Sequence, residues 1–291
     1  MRSTKYVLVT PVRNEEKTIG TTLRCVVEQT IRPQEWVIVS DGSTDRTNDI
    51  VRSYEDQFEF IRLLALEHRP VRNFASVVYA IECGIAALKA EDYEFIGLLD
   101  ADIRFSQGYY EEIMLHFASD AKLGLAGGLV FDCYDGFKRR SGLSLMDIAG
   151  AVQFFRRKCF DSLGGLVALP EGGLDTVTCV QARMNGFVTR TFPELEVDHL
   201  KPRNIAEGNL LRRFRQLGVR AYAIGNHPLF EVLKCGYRCR EYPFVVGGVM
   251  RLFGYSWSCC LRKERMVSPE FVRFVRREQM MRLFPFRQAR T

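Results

Sequence analysis

No run of about twenty apolar residues occurs in this 291-residue chain, which excludes an ordinary bilayer-spanning helix. The nearest approach, Tyr242 to Cys260, is interrupted by Arg251. It suits a segment lying on a membrane better than one crossing it. No secretory leader is expected either, because Met1-Arg2-Ser3-Thr4-Lys5 leads straight into a strand-like segment. Internal repeats and low-complexity tracts are lacking. Paired cysteine spacing is lacking too. The cysteines number nine, an odd count, and most lie in apolar runs. They read as reduced thiols of a cytosolic protein rather than a disulfide framework. Cys235-x3-Cys239 and Cys259-Cys260 fit no standard zinc ligand set.

What is present is a chain that folds: 47% of residues are hydrophobic and 26% charged. The charge is unevenly spread. From residue 201 onward there are 19 Lys and Arg against 6 Asp and Glu, and before it 22 against 29. The acidic part suits a metal. The basic part suits phosphate groups, an anionic membrane surface, or simply a solvated helix face.

Hydrophobic patterning predicts strands at 5–11, 35–40, 60–66 and 94–99, alternating with helices at 16–30, from 43 to Tyr54, and at 73–90. Ser43 or Thr44 is the expected N-cap of the second helix. Strands alternating with helices imply a parallel, doubly wound α/β sheet, and such sheets bind ligands at the carboxyl ends of their strands. Polar clusters follow three strands directly: Pro11 to Glu15, Asp41 to Asp45, and Asp100 to Asp102. Further along, a helix is expected over 109–119, a strand over 124–131, mixed structure over 132–170, a helix over 174–186, and an extended piece leading to Asp198-His199. The stretch 132–145 is a candidate to close over the cleft.

The sharpest feature is Leu98-Leu99-Asp100-Ala101-Asp102. Alternation along an extended segment would send both carboxylates the same way, and a hard divalent cation uses such oxygens to bridge protein and diphosphate. A loop that merely holds two acids is the plain reading. The motif is preceded, in order, by VTPVRNE at 9–15 and VIVSDGSTDRT at 37–47. With these three blocks the chain resembles glycosyltransferase family 2 over roughly its first 190 residues.

That resemblance implies a GT-A type nucleotide-sugar-binding fold and sugar transfer with inversion from a nucleoside-diphosphate sugar, a UDP- or GDP-sugar, with Mn²⁺ or Mg²⁺ as cofactor. It implies that Pro11, Val12 and Asn14 line the nucleoside, that Glu15 anchors base or ribose, and that Asp41 bonds the base. Arg72 and Asn73 would contact nucleotide or donor sugar, Asp100 and Ala101 ribose or donor sugar, and Asp102 the metal. His199 falls where a further metal or diphosphate ligand often sits, with a structural histidine as the other reading. One of Arg203, Arg212, Arg213 and Arg215 would neutralise the leaving diphosphate. The family's base is the Asp of a Glu-Asp pair about eleven residues before a Gly-aromatic pair, which here selects Asp175 before Gly186-Phe187. The chain departs from that pattern at Leu174 and Val177, and Glu171 is a rival base.

A catalytic domain over 1–215 and a basic, aromatic-rich helical extension over 216–291 are expected. Gln279-x-x-Arg282-Leu283 lacks the Trp of processive synthases, so a non-processive enzyme is expected, acting on a saccharide or lipid-linked acceptor in cell-surface polysaccharide or glycolipid assembly. The extension reads either as a peripheral contact with an anionic membrane on its cytoplasmic face or as a cap on the catalytic domain or on a second copy in a homo-oligomer. No nucleic-acid module is present. A sugar-nucleotide pyrophosphorylase would need glycines after the first strand, where Thr10 to Glu15 has none. A non-catalytic nucleotide-sugar-binding or membrane-associated scaffold of the same fold is the alternative function.

Overall fold

The computed structural model describes residues 5–67, 74–134, 136–140, 144–201, 210–240 and 242–284. Two compact units form: one from residues 1–168 and 174–203, the other from 169–173 and 204–291.

The N-terminal unit is built on a nine-stranded sheet. Strands β1 (Tyr6–Val12), β2 (Glu35–Asp41), β3 (Ile61–Leu66) and β4 (Phe95–Leu99) are parallel to one another, in the order β3-β2-β1-β4. Their connections are α1 (Ile19–Val27), α2 (Thr47–Glu55) and α3 (Phe74–Ala86). Each parallel crossover is the βαβ unit that the alternating pattern implies. The second half of the sheet is mixed. It holds β5 (Ile103–Phe105), β6 (Leu123–Tyr134), β7 (Phe137–Arg140), β8 (Val152–Arg156) and β9 (Val188–His199), with α4 (Tyr109–Ser119), α5 (Arg157–Ser162) and α6 (Leu174–Met184). Here β8 runs antiparallel to β4 and β6, β9 parallel to β6, and β5 antiparallel to β9. The stretch 132–145 contributes a β6–β7 hairpin, with Asp135 and 141–143 outside the described residues.

The period-2 alternation of the strands sorts the core into two layers. Tyr6, Leu8, Trp36, Ile38, Phe95 and Leu99 pack on one face with Ile19, Leu23 and Val26 of α1. Val7, Val9, Val37, Val39, Ile96 and Leu98 pack on the other with Ala80 and Ile81 of α3. Strands buried on both faces read as continuous apolar runs, which is why they are so visible in the sequence. Each fully buried large side chain contributes about 1.5–3 kcal/mol. The buried Trp36 indole is satisfied by donating from Nε1 to Thr10 Oγ1 at 2.9 Å.

The C-terminal unit is helical: α7 (Leu210–Ala223), α8 (Pro228–Arg238), α9 (Val246–Cys260) and α10 (Pro269–Leu283). Proline opens both α8 and α10, where its missing N–H costs nothing. Ahead of it, His227 and Ser268 cap the first turns, their side chains accepting from Leu229 N and Phe271 N. Inside the unit Glu231 is fully buried, and its carboxylate accepts from Arg251 Nε and from Asn226 Nδ2. Gln279 is buried as well. Its Oε1 accepts from His227 N at 2.7 Å and its Nε2 donates to Asn226 Oδ1 at 2.8 Å. Those bonds give Gln279 an architectural role within the helical unit. No helix among the described residues is long and apolar enough to cross a membrane.

Candidate active site

Three strand ends on the same edge of the N-terminal sheet carry the polar clusters. After β1 the chain turns through Asn14, which adopts a positive φ of 55°; Asn tolerates that conformation better than most residues. After β2 it turns at Gly42. The two loops are sewn together. Asn14 N donates to Ser43 Oγ (3.2 Å) and Thr44 N to Asn14 Oδ1 (2.8 Å). Glu15 N donates to Thr47 Oγ1 (2.7 Å) and Glu16 N to Asp45 Oδ2 (3.1 Å). The Asn14 carboxamide therefore orders the neighbouring loop. Neither Ser43 nor Thr44 caps α2. The N-cap position is Arg46, which makes no side-chain cap, and one residue earlier Asp45 Oδ1 accepts from Thr47 N at 3.0 Å. Burial pushes the Asp45 carboxyl up, but hydrogen bonds from the Thr47 hydroxyl and from the Thr47 and Glu16 amides outweigh it and hold it below the usual carboxylate range.

Stitching of this kind fixes Pro11, Val12 and Arg13 beside Asp41. Asp41 is only 8% exposed, and its Oδ2 lies 3.6 Å from Arg13 Nη1. Asp41 Oδ1 and Arg13 Nη1 are both buried without a hydrogen-bond partner. A buried carboxylate oxygen left unmatched costs about 1–3 kcal/mol, so the pair is ready to receive a donor and an acceptor. Glu15 is held by the Thr18 hydroxyl at 2.7 Å and by an ion pair with Lys201.

The third cluster is assembled by the sheet. Asp100, Ala101 and Asp102 occupy a turn between β4 and β5, so local strand alternation is not what aims the two carboxylates. The turn is pinned by Asp100 N to Ala151 O (3.0 Å) and by the Thr22 hydroxyl, which bridges the carbonyls of Ala101 and Ile103. Pairing of β5 with β9 then sets Ile103 opposite His199. As a result Asp100, Asp102 and His199 each offer a ligand atom, all within 4.8 Å of one another.

The histidine is oriented for this task. Its Nδ1 is 2.7 Å from Lys201 O. A carbonyl only accepts, so Nδ1 carries the proton, and in the neutral ring Nε2 presents its lone pair. That nitrogen faces Asp102 Oδ1 at 3.5 Å. With the ring neutral these are two acceptors facing one another, an arrangement that a cation between them would satisfy. Two hard carboxylates and one imidazole with a carbonyl behind it suit Mn²⁺ or Mg²⁺. Among the described residues this is the one cluster of three metal-ligating side chains.

Asp175 lies in the first turn of α6, with its Oδ1 accepting from Thr176 N at 2.8 Å. It borders the segment that anchors Asp100: a side-chain carbon placed on Gly150 would stand 3.5 Å from Asp175 Cβ, and Gln153 Nε2 donates to Asp175 O. Glu171 belongs to the segment 169–173, which groups with the C-terminal unit. Arg72, Asn73 and Arg203 lie outside the described residues. Arg212, Arg213 and Arg215 are on α7 of the C-terminal unit. Sequence reasoning missed the contributions of Arg13 and Lys201. Lys201 and Glu15 are 186 positions apart, and no local signal links them.

A parallel β3-β2-β1-β4 sheet continued by mixed strands, with acidic strand ends on one edge, defines a GT-A type fold. Solved structures share it. The mannosyltransferase PcManGT of Pyrobaculum calidifontis, determined with GDP-Man and Mn²⁺, matches with a TM-score of 0.59 at 17% identity, covering 89% of this chain and 88% of that one. Residues 1–349 of Staphylococcus aureus TarS, determined with UDP-GlcNAc, match with a TM-score of 0.52 at 14% identity, covering 87% and 71%. The model of glycosyl transferase family 2 matches residues 7–178. The chain belongs to glycosyltransferase family 2. Among curated relatives, the poly-beta-1,6-N-acetyl-D-glucosamine synthase of Staphylococcus aureus strain COL is 30% identical over 115 residues, 40% of this chain. The match spans about a quarter of that relative's length, 26%.

Proposed function

We propose that the chain transfers a sugar, with inversion and without processivity, from a UDP- or GDP-sugar to a saccharide or lipid-linked acceptor in cell-surface polysaccharide or glycolipid assembly. The observation that carries this reading is the convergence of Asp100, Asp102 and His199 within 4.8 Å at a strand edge, on the same sheet whose β2 end holds the unpartnered Asp41 oxygen.

Each residue then has a task. Asp41 Oδ1 accepts from an N–H of the base, and Arg13 Nη1 donates to a base carbonyl, so both buried groups are satisfied on binding. Pro11 and Val12 line the nucleoside, with Glu15 held by Lys201 toward the ribose. Asp100, Asp102 and His199 would hold Mn²⁺ or Mg²⁺, which when bound supplies electrostatic stabilisation of the leaving diphosphate. The acceptor hydroxyl attacks the anomeric carbon from the face opposite the diphosphate. As the new C–O bond forms, the bond to the diphosphate oxygen breaks and that oxygen takes the electron pair. Asp175 accepts the hydroxyl proton. Its place beside the segment that anchors Asp100 favours it over Glu171.

The test is release of nucleoside diphosphate from a panel of UDP- and GDP-sugars with Mn²⁺. Release that depends on acceptor, disappears in Asp102→Ala and loses its acceptor dependence in Asp175→Asn supports the reading. Binding of donor with no turnover for any sugar or acceptor would instead favour a nucleotide-sugar-binding scaffold.

A further inference from the structure

Helix α9 is amphipathic in the wrong sense for a helix facing water. Its buried side is made of Gly247, Gly248, Arg251, Gly254, Tyr255 and Ser258. Its outward side carries Val246, Val249, Phe253 and Trp257, which recur at i, i+3, i+7 and i+11 and are 47%, 56%, 47% and 53% exposed. The glycines let other helices approach closely: a side-chain carbon on Gly254 would fall 2.1 Å from Arg215 O, and one on Gly218 1.9 Å from Arg251 O. Small residues inside and large apolar ones outside is the pattern of a helix whose outer face meets something other than water.

Charge points to what it meets. Arg251 is the one charged residue in α9, and it turns inward to pair with the fully buried Glu231. The outward face is therefore uncharged along the whole helix, about 22 Å by helical rise. Aromatics extend this face into the preceding loop, where Tyr242 and Phe244 are 77% and 65% exposed. Charged residues flank both ends: exposed Arg240, followed in sequence by Glu241, before the loop, and exposed Arg262 and Lys263, followed by Glu264, after the helix. An apolar, aromatic strip bounded by arginine and lysine matches the depth profile of an anionic bilayer surface, acyl chains in the middle and phosphates at the rim. A second copy of the chain fits less well. Parallel pairing of two such faces along α9 sets Arg262 and Lys263 against their own copies, and the uncharged face offers no acidic group to answer them.

We propose that the outward face of α9, with the Tyr242–Val245 loop, is a docking surface for an anionic lipid bilayer, lying in the interface rather than spanning it. The proposal does not depend on the transferase reading. Docking would also bring the chain to an acceptor held in the membrane.

Its test uses the chain's two tryptophans. Trp36 is fully buried in the N-terminal unit and Trp257 is on the outward face of α9, so an emission change on adding vesicles reports Trp257. The full chain should float with vesicles of equal parts phosphatidylglycerol and phosphatidylcholine at physiological salt, with a blue-shifted emission, and at least about 10-fold less with phosphatidylcholine alone. Val249→Asp with Phe253→Asp should lower binding at least about 10-fold with unchanged melting temperature, because both side chains are exposed. Arg262→Glu with Lys263→Glu should weaken binding only to the anionic vesicles. Absence of flotation and of any blue shift would overturn the proposal. So would a concentration-dependent dimer that shields Trp257 and keeps the chain off vesicles, or equal binding by the Asp variant with its fold intact.

Discussion

Both units bury carboxylates, and Glu231 and Asp41 are used in opposite ways. Glu231 in the helical unit is fully buried and bonded to Arg251 and Asn226. Asp41 in the sheet unit is nearly as buried, yet its Oδ1 has no hydrogen-bond partner, and Arg13 stands 3.6 Å from the other oxygen. A carboxylate whose lone pairs are answered from within the fold is architecture. One left partly unanswered at a strand end stores a cost that a ligand can relieve. The difference separates stability from function at the level of single atoms, and it can be broken experimentally.

The largest effect is expected at Glu231. Glu231→Ala strands the Arg251 guanidinium in the interior and should cost about 3–5 kcal/mol in urea unfolding; a loss under about 1 kcal/mol would remove the distinction. Next is Asp102→Ala, which should lower turnover about 10²–10³-fold in a nucleoside-diphosphate release assay while leaving unfolding nearly unchanged. Asp41→Asn should behave like Asp102 rather than Glu231. Its melting temperature should hold, while the Kd for UDP or GDP in calorimetry rises about 10–100-fold, the worth of one hydrogen bond to a charged group. A large stability loss at Asp41 would make it a second Glu231.

The smallest effect is in acid. Burial pushes the Glu231 carboxyl up, but the Arg251 guanidinium beside it outweighs burial and holds it below the usual carboxylate value. Its stabilising contribution is complete above the unfolded carboxylate pKa, about 4.3, and is lost as pH falls through the lower folded value. The melting-temperature difference between the native chain and Glu231→Gln should therefore be constant near neutrality and shrink in that acidic window.

Legibility in the sequence followed locality. The first four strands were visible because burial on both faces makes them continuous apolar runs. Their polar clusters stood out because they follow those runs directly. Strand β8 lay hidden within 132–170, since its pairing with β4 and β6 is antiparallel and non-local and leaves no crossover pattern. Strand β9 showed only as a short extended piece before His199, its course broken by Pro193. Asp100 and Asp102 were found from their spacing, but the reason they converge is a turn pinned by Thr22 and Ala151 rather than strand alternation. The register of β9 on β5 is what brings His199 to them. Lys201 on Glu15 and Glu231 on Arg251 needed tertiary structure altogether. Arg251, which interrupts the apolar run in the sequence, faces inward in the fold, so the apolar surface is more continuous than the sequence suggested.

The most direct measurement is Mn²⁺ binding followed by electron paramagnetic resonance, with nucleoside diphosphate present, on the native chain and on Asp102→Ala and His199→Ala. The native chain should bind one tightly held ion, and each variant should bind it at least about 10-fold more weakly with an unaltered fold. Equal Mn²⁺ affinity in all three would contradict a metal held by the Asp100, Asp102 and His199 cluster.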